Sequence, residues 1–190
     1  VQLRRPFLVL DVRARPVDAF QPNLDRQKIM SLFDLTFIRN RGNVIFLGPP
    51  GVGKTHLAIS LAIKACAHGF KVYFTTMDTL IKKLKESQSN HKAYLTWPLV
   101  VVDEVGYLPI DSREAYLFFQ FVSARYEKAS TIMTSNKSFI DWQELFGDQV
   151  IASAVHGTKL NPVITPPADT VTSAVACCHH GFLAVGISCR

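Results

Sequence analysis

The stretch Gly48-Pro49-Pro50-Gly51-Val52-Gly53-Lys54-Thr55 constrains the fold of this chain more than any other feature. It satisfies G-x-x-x-x-G-K-[ST] at every fixed position. An apolar run, Asn43–Leu47, leads into it and a helical pattern, Lys54–Ala67, leads out. Gly48, Gly51 and Gly53 let the backbone turn tightly, so that successive N–H groups converge on a β-phosphate. The helix starting near Lys54 adds its positive end to the same point. In such a loop the lysine, Lys54, reaches the β- and γ-phosphates, and the hydroxyl of Thr55 ligates Mg²⁺. The ligand these residues imply is a nucleoside triphosphate, ATP with Mg²⁺. A glycine-rich turn joining strand to helix leaves the Lys-Thr pair unexplained.

The flanking pattern indicates the fold class. Further apolar runs at Lys71–Thr75, Leu99–Asp103 and Thr131–Thr134 alternate with helical patterns at Asp78–Ser87, Arg113–Lys128 and Phe139–Phe146. Apolar strands separated by helices predict an α/β fold with a parallel sheet covered on both faces. Gly69 suits the left-handed residue after the first of these helices, and Asp78 suits the cap of the next. With 190 residues, 48% of them hydrophobic and 19% charged, the chain suffices for one globular domain with a core.

Two of the strands end in groups that carry chemistry. Leu99–Val102 runs into Asp103-Glu104, which places two carboxylates at the C-terminal edge of the sheet beside the phosphate loop. There Asp103 would hold Mg²⁺, directly or through water, and Glu104 would polarise an attacking water. The pair therefore points to hydrolysis. Thr131–Thr134 runs into Ser135-Asn136. Asn136 is either a hydrogen-bond donor to the γ-phosphate or the water, or an ordinary strand terminus. The catalytic candidates are Lys54, Glu104 and Asn136.

The wording of these segments, LGPPGVGKTHLA, VVVDEVGYLP, ARYEKAS and TSNKSFIDWQELFGD, resembles the AAA+ ATPases, and more closely their DnaC/IstB-like group. The resemblance spans Phe20–Val155 and is nearest to the helper ATPases of insertion-sequence transposition. It implies a P-loop NTPase of AAA+ type that binds ATP, forms homo-oligomers, loads on double-stranded DNA and acts with a transposase. A helicase-loading ATPase of replication shares the same core. The Asp-Glu pair and Asn136 argue against a small-molecule kinase.

Outside that span the resemblance lapses. Residues 1–19 match poorly, and 156–190 form a divergent, charge-poor tail that either adds strands or stays unordered. Members of the group continue into an Asp-Arg-Leu-Leu-like helix with an arginine that acts across a subunit boundary. Here the chain reads His156-Gly157-Thr158-Lys159-Leu160, so the resemblance implies an incomplete C-terminal lid, as after a frameshift or truncation. A remnant that binds nucleotide without hydrolysing it is the corresponding alternative.

The remaining features are open to two readings. The net charge of +6 favours polyanions without requiring one. The arginine-rich residues 1–42, with a helical pattern over Asp25–Ile38, form either a basic arm for DNA or a solvated surface. Lys82, Lys83 and Lys85 either contact a DNA backbone or line an exposed helix face. Arg113 and Arg125 either act across an interface or are solvated. Cys66 and His56 are expected to pack as helix core, together with Trp97, Phe118, Phe119 and Phe121. The run Cys177-Cys178-His179-His180 lacks the spacers a tetrahedral metal site needs. No segment reads as a secretory signal or reaches the roughly 18–20 apolar residues that span a bilayer, so a cytoplasmic protein without membrane contact is expected.

Overall fold

The computed structural model describes residues 26–86, 91–138 and 141–142, and the backbone of 175–177 and 182–186. Its sheet is built from β1 (Asn43–Leu47), β2 (Val72–Thr76), β3 (Leu99–Val105), β4 (Ser130–Ser135), β5 (Val175–Cys177) and β6 (Phe182–Gly186), in the order β2-β3-β4-β1-β6-β5. Strands β2, β3, β4, β1 and β6 pair in parallel, and β5 joins β6 antiparallel at the edge.

Each central strand divides its side chains between two cores. Ile45, Tyr73, Val100, Val102 and Met133 face one cluster, while Val44, Phe46, Leu99, Val101 and Ile132 face the other. The first is covered by α4 (Met77–Glu86), α5 (His91–Thr96) and α6 (Ser112–Arg125), the second by α1 (Arg26–Leu32), α2 (Thr36–Arg39) and α3 (Lys54–Ala67). The strands are apolar without alternation because both faces are buried. Each fully buried Leu or Phe on these faces contributes about 1.5–3 kcal/mol. The parallel sheet with helices on both faces is thus as the pattern predicts.

Several local expectations need correction. The single helix over Asp25–Ile38 breaks at Leu35, whose φ of 57° is left-handed. Ile29, Leu32, Leu35 and Ile38 are all buried, so the segment packs on the sheet rather than forming a free arm. Asp78 does not cap α4. The Thr76 hydroxyl accepts from the Thr79 N–H at 3.3 Å, leaving Asp78 to pair with Lys82 at 2.8 Å. Cys66 and His56 are exposed, because the buried stripe of α3 runs through Ala58, Leu61, Ala62 and Ala65 and both fall off it. Helix α5 has no counterpart in the sequence reading. The expected helix at Phe139–Phe146 lies outside the described residues except for Asp141 and Trp142.

Other expectations hold, with their causes visible. Gly69 has φ 83°, and Phe70 N–H closes on Ala65 O at 3.1 Å to end α3. Helix α6 opens on a reciprocal capping box that the sequence analysis does not name: Asp111 accepts from Glu114 N–H at 2.7 Å, and Glu114 accepts from Asp111 N–H at 2.9 Å. Phe118 and Phe121 are buried, and Trp97 packs against the same core.

Candidate phosphate and cation site

The sheet order determines which strand ends meet. Strand β4 lies between β1 and β3, so the loop leaving β1 and the acidic end of β3 both border the end of β4. Such a crevice at the C-terminal ends of parallel strands is where α/β sheets bind ligands. Gly48 N–H donates to Ser135 O at 3.2 Å, and Ser135 Oγ donates to Val105 O at 2.7 Å. Trp142 Nε1 closes on the same Oγ at 3.0 Å. Ser135 thereby ties the loop, β3 and the segment after β4 together.

Gly51 and Gly53 adopt φ of 81° and 91°, and a Cβ on either would meet nothing within 4 Å. Their requirement is conformational, not steric. Gly53 precedes α3 without a side-chain cap, so the first-turn amides are left to an anion. Lys54 is largely buried and folds back over the loop, donating from Nζ to Gly48 O and Pro49 O at 2.7 Å each. Burial lowers its pKa, and the Asp103 carboxylate opposes that shift.

Asp103 and Glu104 are split by a bulge. Between the pairs Val102↔Met133 and Val105↔Ser135, β3 advances one residue further than β4. Glu104 absorbs the extra residue at a left-handed φ of 61°. Without it Val105, an odd number of residues from Val102, would face the opposite core; with it, both join one cluster. Asp103 is 6% exposed and its Oδ1 accepts from Thr55 Oγ1 at 3.0 Å. Glu104 instead projects its side chain to solvent. The two carboxylates are thus separated into one buried against the loop and one free to meet water. Thr55 and Asp103 present hard oxygen donors side by side, a set that suits Mg²⁺. Asn136, directly after β4, is exposed at the same edge.

Thr134 escaped the sequence reading. Its hydroxyl bonds to Asp103 Oδ1 and accepts from Glu104 N–H at 3.1 Å. The small polar residues at the end of an apolar strand were the available signal, but nothing in the sequence indicates which of them faces the carboxylates.

The three lysine candidates on α4 are engaged locally. Lys82 pairs with Asp78, and Lys85 with Glu114 at 2.7 Å. Lys83 donates to Tyr73 Oη at 2.6 Å and lies 5.3 Å from that ring. Arg113 is exposed. Arg125 is neither solvated nor at an interface. It is 1% exposed and donates to Thr131 Oγ1, Tyr94 O and Ser130 O at 3.1, 2.6 and 2.5 Å. Among the described residues no helix is long and apolar enough to cross a membrane, and no group of three or more His, Cys, Asp or Glu is placed to hold a metal. The side chains of 177–180 lie outside them.

Residues 17–159 match the family described as IstB-like ATP binding protein. The ATP-binding protein of insertion sequence IS21 from Pseudomonas aeruginosa is 47% identical over 75% of this chain and 58% of its own length. That of insertion sequence IS5376 from Geobacillus stearothermophilus is 41% identical over 74% of this chain and 60% of its own. The chain therefore spans less than two thirds of the relatives it matches. Among solved structures, the DnaC helicase loader superposes with a TM-score of 0.59 at 22% identity, covering 70% of this chain and 85% of that one. That likeness establishes the P-loop AAA+ fold.

Proposed function

The chain belongs to the IstB-like ATP binding protein family, and from that premise we propose that it binds and hydrolyses ATP in support of DNA transposition. The observation that carries the proposal is the meeting of the phosphate loop with a split acidic pair, Thr55 Oγ1 lying 3.0 Å from Asp103 Oδ1. Gly48–Thr55 hold the triphosphate, with Lys54 released from Gly48 O and Pro49 O to the β- and γ-phosphates. Thr55 and Asp103 hold Mg²⁺, which supplies charge neutralisation on the phosphates. Glu104 polarises the attacking water, and Asn136 orients that water or the γ-phosphate.

The partners in this reading are double-stranded DNA, a transposase and further copies of the same chain. Relatives at 41–47% identity favour transposition over helicase loading, for which the likeness is 22%. The test is ATP binding and turnover by purified protein, with and without double-stranded DNA. We expect binding, and turnover that rises with DNA. Lys54→Ala should weaken ATP about 10- to 100-fold, the loss of a charge-assisted hydrogen bond of about 1.5–3 kcal/mol. Wild-type protein without measurable ATP affinity would refute the reading, whereas binding without turnover would leave a nucleotide-binding remnant.

A further inference from the structure

The buried hydroxyl of Thr134 bonds to both members of the acidic pair, to the backbone of Glu104 and the side chain of Asp103. Thr134 is 2% exposed and sits on β4, between the loop strand and the acidic strand. Its oxygen accepts from the Glu104 N–H at 3.1 Å. A hydroxyl has a single proton, and here it is directed at Asp103 Oδ1. That same oxygen accepts from Thr55 Oγ1.

We propose that Thr134 is the positioning residue of the site, orienting the Asp103 carboxylate for Mg²⁺ while anchoring the backbone bulge that presents Glu104. One hydroxyl performs both tasks because the bulge brings the Glu104 amide and the Asp103 carboxylate onto the same side chain. With Oδ1 occupied by two hydroxyl donors, the carboxylate is held in one orientation beside Thr55. Groups that orient metal ligands in this way affect metal affinity about 10- to 100-fold. Valine at this position keeps the branched shape and removes both the donor and the acceptor; serine keeps both.

The inference rests on the ATP and Mg²⁺ reading, and its test separates the two. ATP affinity is measured for wild type, Thr134→Val and Thr134→Ser, in Mg²⁺ and in EDTA, with thermal unfolding monitored alongside. Wild type should bind ATP more tightly in Mg²⁺. Thr134→Val should lose about 10- to 100-fold of that enhancement at unchanged EDTA affinity, and Thr134→Ser should keep it. A Val variant with the full enhancement overturns the inference alone, as does a Ser variant that loses as much as Val. Wild type without an Mg²⁺ enhancement overturns both readings. Should Thr134→Val fail to fold, Thr134→Ala takes its place as the variant against which Thr134→Ser is compared.

Discussion

Glu104→Gln is expected to lower ATP turnover by about 10²–10⁴-fold, the range for loss of a positioned general base, at unchanged ATP affinity. Gln keeps the size and polarity of the side chain but cannot take a proton from water. Because the Glu104 side chain is exposed and has no part in holding the triphosphate in this reading, ATP affinity should not change. Glu104→Gly separates the backbone from the chemistry. Relief of a left-handed non-glycine residue, at φ 61°, should raise stability by about 1 kcal/mol, while turnover falls at least as far as in Gln. Steady-state turnover and urea unfolding of the two variants measure these effects. Wild-type turnover in Glu104→Gln would remove Glu104 from the mechanism, and a less stable Glu104→Gly would show that the bulge is not strained.

A second large effect is expected far from the site. Arg125→Ala should destabilise the fold by about 3–5 kcal/mol, through the cavity and the acceptors left unpaired in the core. The guanidinium binds three acceptors, none of them a carboxylate. Burial lowers its pKa from the usual guanidinium range to about 10. A depressed cation pKa means that the charged form weakens the folded state, and this penalty is full below about pH 10 and is relieved as pH rises above it. At neutral pH Arg125 is therefore charged, and its three hydrogen bonds offset the burial. Arg125→Met fills much of the volume but leaves the same acceptors unpaired, so it should recover only part of the loss. The shift in urea midpoint reads both variants; an Arg125→Ala midpoint equal to wild type would show that those bonds contribute nothing net.

Legibility in the sequence followed the range of the forces involved. The phosphate loop, β1 and α3 are contiguous, and their glycines and apolar runs act on neighbours in the chain, so Gly48–Thr55 could be read directly. The Gly69 end of α3 was legible for the same reason. Arg125 was not, because the acceptors that bury it come from Tyr94, Ser130 and Thr131, which only packing assembles. Cys66 was misread because a one-residue step on a helix turns a side chain by about 100°, enough to carry it from core to solvent. Asp78 lost the cap to Thr76 because α4 starts at Met77, two residues earlier than a cap at Asp78 would place it.

The acidic pair marks the boundary most clearly. Its two carboxylates, their position after an apolar strand and their pairing with a phosphate loop were all determined by the residue order. Their different fates were not. A regular strand sends neighbouring side chains to opposite faces, but whether a bulge intervenes depends on which core Val105 must enter and on the Thr134 hydroxyl from a separate strand. Those are long-range contacts, and only the tertiary structure could decide that Asp103 is buried against Thr55 while Glu104 faces water.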